Sequence, residues 1–274
     1  MTTITPTITD PRPAMSRPSS VIGFLLLTLA LSWGAWLLGL LLGGDLADPL
    51  VFGCFAVGTC GPTLAALLYR LRGVRSPRTA DVRRIARWLP AAVLLGALPV
   101  VLAALVGPLL GDRALGLDDV TAGFAATGLL PFLLFATVTG PLSEEFGWRG
   151  FVQPRLRERF SPIVTAGILG SIWGIWHLPL ALFPGTFQSA LGPLELVGFV
   201  VSMVPMSLTY WFVTERLAGG VPAAVLMHYA TNVALTLLPF TGLAGSLVLL
   251  TAITLIAVVL ALVVRGTARP GRDR

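Results

Sequence analysis

Two adjacent carboxylates and an arginine stand in a chain that is otherwise strongly apolar. Glu144, Glu145 and Arg149 lie within one short stretch between hydrophobic segments. A charge at membrane depth is costly, so an ionisable residue there marks a functional site by default. Glu145 and Arg149 are four residues apart and can pair on a helix. Glu144 is rotated by about 100° from Glu145, so it faces elsewhere and needs another partner.

The chain has two histidines, and each has a distinctive residue one helical turn away. Trp173 precedes His177 by four residues and Asn232 follows His228 by four, so each pair shares a helix face. A single histidine in an apolar helix is often a packing residue, but two of two with such partners favour a chemical role. Trp173 can form the wall of a cavity and fix the imidazole of His177. The alternative is that its side chain only faces the lipid and has no role in a site.

The three patterns together resemble a known family. Glu-Glu-x-x-x-Arg, Trp-x-x-x-His and His-x-x-x-Asn occur in this order on separate hydrophobic segments. They resemble the three motifs of the CAAX-protease and bacteriocin-processing family of intramembrane proteases, also called CPBP or Abi, over roughly residues 120–240. The resemblance, which extends to type II CAAX prenyl endopeptidases, implies an intramembrane endopeptidase. It also implies either CAAX-type processing after a prenylated cysteine or bacteriocin and self-immunity processing.

Hydrolysis of a peptide bond within a membrane needs a trapped water, a base, donors for the oxyanion and a polar cavity. Glu144 is the candidate base, and His177 can hold the water or help to deprotonate it. Asn232 can supply N–H donors to the oxyanion, and His228 can supply another. The resemblance implies the same roles at these positions.

Glu145 and Arg149 are expected to support the site. The ion pair would fix the helix that carries Glu144, although a direct catalytic role for the pair is equally open. Serine chemistry is not expected, because Gly-x-Ser-x-Gly is absent and Ser171, six residues before His177, falls on another face. The Gly-x-x-x-Gly pattern at Gly170–Gly174 indicates close helix packing.

Zinc is the rival account of the site. Glu144, His177 and His228 are a plausible three-ligand set for catalytic zinc, but the His-Glu-x-x-His helix of common zinc proteases is absent. A zinc-bound histidine normally donates its other ring N–H to a carboxylate or a carbonyl. The remaining intramembrane acid, Glu145, can be claimed by Arg149. We therefore favour no metal cofactor, with zinc as the alternative, although the family is often named as metalloproteases.

Two non-proteolytic functions are the alternatives. A non-catalytic membrane scaffold would have no need for a buried acid and imidazole. A proton-coupled transporter would use these residues as a relay, and inverted repeats would favour it, but none is evident. The expected partners are the lipid bilayer and a membrane-embedded or lipidated peptide substrate, with no nucleic acid.

Membrane helices must position these side chains. The 274 residues are 55% hydrophobic and 12% charged, whereas soluble domains contain about 25% charged residues. Helices are required because the bilayer has no water to satisfy an open sheet, and the rhythm of a barrel is absent. The predicted class is an all-α polytopic membrane protein with about eight spans of ~20 residues, at 21–42, 49–69, 88–110, 122–142, 162–183, 194–213, 221–239 and 243–264.

Charge sets the expected orientation. All 19 basic residues are arginines, and nearly all lie in the two tails, the 70–87 loop, the 155–159 cluster and the link at Glu215–Arg216. The 43–48 and 111–120 links are acidic, and the 183–193 link has no charge. By the positive-inside rule both termini are cytoplasmic, which requires an even number of spans. We expect an integral protein of a bacterial plasma membrane.

The predicted organisation has four parts. They are a disordered cytoplasmic tail (1–20), N-terminal membrane helices with the arginine-rich loop (21–120), a protease-like core (121–240), and a last helix with a basic tail (241–274). Cys54 and Cys60 lie too far apart on one helix to bridge, so we expect two free packing residues.

Overall fold

The structure, a computed structural model, describes residues 18–43, 45–74, 80–125, 128–240 and 242–267. Twelve α-helices occur in these residues: α1 (Pro18–Leu42), α2 (Pro49–Thr59), α3 (Gly61–Leu71), α4 (Ile85–Val106), α5 (Leu117–Ala125), α6 (Leu129–Thr137), α7 (Ser143–Gly147), α8 (Gln153–Arg157), α9 (Pro162–Trp176), α10 (Pro193–Trp211), α11 (Gly220–Leu237) and α12 (Leu243–Thr267). The all-α class is confirmed.

Most of the two predicted tails lies outside the described residues. Residues 1–17 and 268–274 lie outside them, and so do the positions of both chain ends. α1 begins at Pro18, three residues before the predicted start of the first span at residue 21. Proline suits the first turn of a helix, where its missing N–H has no partner to lose.

Six helical segments of the described chain are long and apolar enough to cross a membrane: Val21–Leu42, Val82–Leu110, Pro162–Leu182, Pro193–Arg216, Gly220–Leu237 and Leu243–Val263. The pair α2 and α3, bent by 56°, passes the same test together and gives up to seven. Pro62 in the first turn of α3 has no N–H to bond back into α2, which favours the bend. The predicted count of eight is not confirmed.

The predicted fourth span is not one helix. The chain forms α5 and α6 there, and α6 begins after Gly128, whose φ is +82°. Thr139, with ψ of 106°, and Gly140, with φ of +96°, then leave helical geometry. A residue before proline is disfavoured in the α conformation, so Pro141 promotes the break at Gly140. The continuous fourth span is therefore wrong, and Glu144 lies on the separate short helix α7.

Longer helices surround this broken segment. α9 packs on α10, α10 on α12, α11 on α4, and α3 on α7. A Cβ at Gly170 would lie 2.5 Å from Cα of Val204, and one at Gly174 would lie 2.8 Å from the carbonyl oxygen of Val200. The close packing predicted from Gly-x-x-x-Gly is thus confirmed for α9 on α10. Cys54 and Cys60 are free, as expected.

A buried aromatic group joins α1 and α9 beside the candidate site. Trp36, Trp148 and Trp176 have no exposed surface. The Trp176 ring lies 4.9 Å from that of Trp36 and 5.8 Å from that of Trp148. Trp33 Nε1 donates to the Trp176 carbonyl at 3.0 Å. Large aromatic side chains with few torsions make this wall rigid, and His177 follows directly after Trp176.

Candidate active site

Glu144 lies in a short helix that begins at the break. The backbone N–H of Gly140 donates to Ser143 Oγ at 2.8 Å, and Ser143 Oγ donates back to the Gly140 carbonyl at 3.3 Å. The positive φ of Gly140 is easy for glycine and costly for a residue with a Cβ. This closed turn fixes the start of α7, and Glu144 lines an internal cavity while only 4% exposed.

Trp173 contacts both proposed water-activating residues. Its Nε1–H donates to Glu144 Oε2 at 2.7 Å, and its carbonyl oxygen lies 2.7 Å from His177 Nδ1. A carbonyl oxygen only accepts, so Nδ1 of His177 carries the proton, and Nε2 of the neutral ring keeps its lone pair. Trp173 is 2% exposed. It is therefore not lipid-facing, and it orients a carboxylate and an imidazole on one cavity wall.

Glu145 is held between a guanidinium and an imidazole. Arg149 Nη1 lies 3.2 Å from both carboxylate oxygens, and the two side chains are fully buried. His228 Nδ1 donates to Glu145 Oε1 at 2.7 Å. The guanidinium carbon also lies 4.1 Å from the ring centre of Trp173 and 3.7 Å from that of Tyr210. The pairing predicted from spacing is confirmed, and Glu145 has a second partner from another helix.

Asn232 and His228 approach the break from α11. Asn232 Nδ2 donates to the carbonyl oxygen of Thr139 at 3.2 Å, which leaves its second amide hydrogen for another acceptor. A Cβ built at Gly140 would lie 2.8 Å from both Asn232 Nδ2 and His228 Nε2. Only a glycine at this position leaves room for both side chains.

The predicted site residues meet at one cavity of about 730 Å³. Its lining includes five of them: Glu144, Trp173, His177, His228 and Asn232. Glu145 and Arg149 lie behind this wall and support it. The remaining lining is largely apolar, and no arginine from the described part of the chain contributes to it. The cavity thus presents an acid, two imidazoles and an amide within an apolar chamber.

Sequence reasoning missed three contributors to the site. Gly140 and Thr139 shape the wall at the break, and the Gly140–Pro141 pair, which precedes Glu144 by two intervening residues, was a signal for the first of them. Tyr210 is fully buried, lines the cavity and stacks on Arg149. Nothing in its sequence context distinguished it, because it lies in an apolar span far from all three motifs.

The three side chains named as alternative zinc ligands, Glu144, His177 and His228, line the same cavity, and the metal dependence of the site stays a prediction. No group of three or more His, Cys, Asp and Glu side chains in the described ranges has the arrangement of a metal site. One argument made from the sequence against zinc was nevertheless wrong. Glu145 pairs with Arg149 and also accepts a hydrogen bond from His228, so a carboxylate does orient one imidazole. The carbonyl oxygen of Trp173 orients the other, that of His177.

The segment that carries the site is similar to a known protein family. The family described as type II CAAX prenyl endopeptidase Rce1-like matches residues 126–234, which contain all three motifs. The resemblance to CAAX proteases is confirmed.

A curated protein of Methanococcus maripaludis, named CAAX prenyl protease 2, is 26% identical over 125 residues. The match covers 44% of this chain and 46% of that relative, so it spans about half the length of each. Together with the long apolar helices, the match to this family identifies an integral membrane protein. The CAAX-type region therefore coincides with the broken segment and the helices that line the cavity.

Proposed function

We propose that this protein is an intramembrane endopeptidase in which Glu144 and His177 activate a water molecule. The observation that carries the proposal is the double role of Trp173, whose indole holds Glu144 and whose carbonyl orients His177. Both groups thus border the same buried chamber with defined hydrogen-bond directions. A general base must first lie within hydrogen-bond reach of the proton that it removes, and fixed positions of the carboxylate and the imidazole meet this requirement.

The proposed reaction uses groups of this chain alone. Glu144 accepts a proton from water while the water oxygen bonds to the peptide carbonyl carbon, and Nε2 of His177 holds the water through its lone pair. The second amide hydrogen of Asn232 donates to the oxyanion. His228 donates from Nε2 when its ring is doubly protonated, and Glu145 balances that charge. Glu144 then transfers its proton to the leaving nitrogen as the C–N bond breaks.

The chamber favours an apolar substrate segment. Leu, Ile, Val, Phe and Met make up about half of its lining beyond the catalytic groups, and no charged side chain of the described residues is present there to pair with a charged side chain of the substrate. The name of the archaeal relative points to prenylated CAAX substrates, and a lipidated or membrane-embedded peptide satisfies the apolar lining. We propose that no metal takes part.

Purified protein in detergent should cleave members of a membrane-peptide library. Glu144→Gln and His177→Ala should abolish cleavage while the variants still insert and fold. Glu158→Gln, which changes an exposed carboxylate outside the cavity, is the matched control and should keep wild-type activity. Activity equal to wild type in either site variant would refute the assignment. A scaffold or a proton-coupled transporter would show no cleavage with any variant.

A further inference from the structure

The serine and threonine side chains of the cavity lining share one arrangement. Each of them donates its hydroxyl proton to a backbone carbonyl oxygen, at distances between 2.7 and 3.1 Å. A hydroxyl has one proton and two lone pairs, so a proton bonded in this way leaves only acceptor capacity toward the cavity. The described residues with this arrangement are Thr59, Thr139, Thr186, Ser202, Thr209, Thr231 and Thr236.

Two of these threonines flank Asn232 beside the catalytic groups. The carbonyl oxygen of Thr139 accepts from Asn232 Nδ2 at 3.2 Å, and the hydroxyl of Thr139 donates to the carbonyl of Phe135 at 2.8 Å. Thr236 Oγ1 donates to the carbonyl of Asn232 at 2.9 Å. Thr139 and Thr236 are partly exposed, whereas the other hydroxyl residues of the lining are at most 9% exposed. Their oxygens are therefore the most accessible of the set.

One face of α11 carries a donor and an acceptor in line. His228, Asn232 and Thr236 follow one another at four-residue spacing, and all three line the cavity. The rise from Asn232 to Thr236 along the helix is about 6 Å, at 1.5 Å per residue. Alternate residues of an extended chain repeat on one edge about every 6.6 Å. One extended peptide can therefore present a carbonyl to Asn232 and an N–H to Thr236.

An extended substrate brings backbone N–H groups into an apolar chamber. In a membrane helix these groups are bonded within the helix, and unwinding the segment for attack frees them. A polar group that enters apolar surroundings without a hydrogen bond costs free energy. The amide hydrogens of Asn232 bond to carbonyl oxygens and cannot serve an N–H group. Acceptors on the same wall are needed, and the threonine hydroxyls supply them.

We propose that Thr139 and Thr236 form a subsite that binds the backbone of an extended peptide, with their hydroxyl oxygens accepting hydrogen bonds from substrate N–H groups next to the scissile bond. The location of that bond, beside Glu144 and Asn232, rests on the proposed function. Because the subsite recognises the backbone and not the side chains, it serves a lipidated peptide and a membrane-embedded peptide alike.

Peptide binding to an inactive variant tests the subsite without cleavage. The probe is a fluorescent synthetic peptide with a prenylated cysteine and an apolar C-terminal segment, titrated into the Glu144→Gln protein in detergent. Adding Thr236→Val or Thr139→Val removes one acceptor, and each should weaken binding about two- to tenfold. Thr236→Ser retains the hydroxyl and should restore the affinity. Thr254→Val is the matched control, because Thr254 donates to the carbonyl of Leu250 at 2.7 Å but lies outside the lining.

Replacing single amides of the peptide by esters identifies the N–H groups that are bound. An ester at the bonded position should weaken binding to the Glu144→Gln protein, and it should cost nothing further once the matching threonine is valine. Equal losses with and without the threonine hydroxyl would overturn the subsite. So would the absence of a loss for every ester, or unchanged affinity of both valine variants.

Cleavage by the protein with Glu144 intact separates the subsite from the proposed function. If the coupled losses occur and this protein cuts no peptide, the subsite stands and the endopeptidase function fails. If it cuts the prenylated peptide and the two valine variants cut with unchanged KM, the proposed function stands and the subsite is refuted. A peptide that does not bind at all would refute the subsite as well.

Discussion

At the scale of single residues, Trp173 connects the parts of the site. Its indole and its carbonyl hold Glu144 and His177, so it positions both without touching the reacting atoms. Trp173→Phe keeps the carbonyl and removes the N–H donor. A hydrogen bond to a charged group contributes about 1.5–3 kcal/mol, so kcat should fall roughly ten- to a hundredfold.

The measurement is steady-state cleavage of one peptide across a pH series. Loss of the donor changes the proton affinity of Glu144, so the pH profile should move along with kcat. A lower kcat with an unchanged pH profile would show that Trp173 acts only through packing.

Asn232 is predicted to act on the rate of the chemical step. Its free amide hydrogen is available to the oxyanion because the other is bonded to Thr139. Asn232→Ala should lower kcat by about 10²–10³, the usual loss for one oxyanion donor. Substrate affinity, measured as peptide binding to the Glu144→Gln background, should stay unchanged. A defect confined to affinity would make Asn232 a binding residue.

At the scale of elements, the break before α7 is predicted to be essential. Gly140→Ala places a Cβ at positive φ and 2.8 Å from Asn232 Nδ2 and His228 Nε2. It should therefore reduce both activity and melting temperature. Gly167→Ala in α9 is the matched control, since no atom lies within 4 Å of its built Cβ. That change should be neutral or stabilising by up to about 1 kcal/mol. Full activity of Gly140→Ala would show that the break is incidental.

The buried ion pair of Glu145 and Arg149 also acts between elements, because it joins α7 to the helical turn that follows it. Arg149→Met leaves Glu145 without its cation and should cost about 3–5 kcal/mol of stability, as for other broken buried pairs. Thermal unfolding in detergent measures the loss.

The double variant Glu145→Gln, Arg149→Met separates charge from packing. It leaves no uncompensated carboxylate, so it should recover part of the stability lost in Arg149→Met. No recovery would mean that the stacking of the guanidinium on Trp173 and Tyr210 provides the stabilisation. Unchanged stability of the single variant would mean that the pair is incidental.

At the scale of the whole molecule, the chain is predicted to work without a metal. The purified protein should contain no stoichiometric zinc by elemental analysis, and a chelator should leave cleavage intact. About one zinc per chain, with activity lost on chelation and restored by zinc, would instead support Glu144, His177 and His228 as ligands.

Local spacing determined much of this protein from sequence alone. The apolar segments predicted the membrane helices, because about 20 such residues are needed to cross the bilayer. The four-residue spacing of Glu145 and Arg149 predicted their ion pair, since a helix places such residues side by side. The two Gly-x-x-x-Gly glycines likewise predicted where a neighbouring helix approaches. The division into tail, N-terminal helices, core and last helix stays a prediction.

Tertiary structure alone decided which partners meet across the bundle. Trp173 is 29 residues from Glu144, and His228 is 83 residues from Glu145. Such contacts depend on how whole helices are placed, which a helical period does not encode. The break at Gly140 was also decided in this way, because a Gly-Pro pair permits either a kinked helix or a true interruption. Here the side chains of His228 and Asn232 lie within 2.8 Å of where a Cβ at residue 140 would stand, so the packing of α11 requires glycine at the interruption.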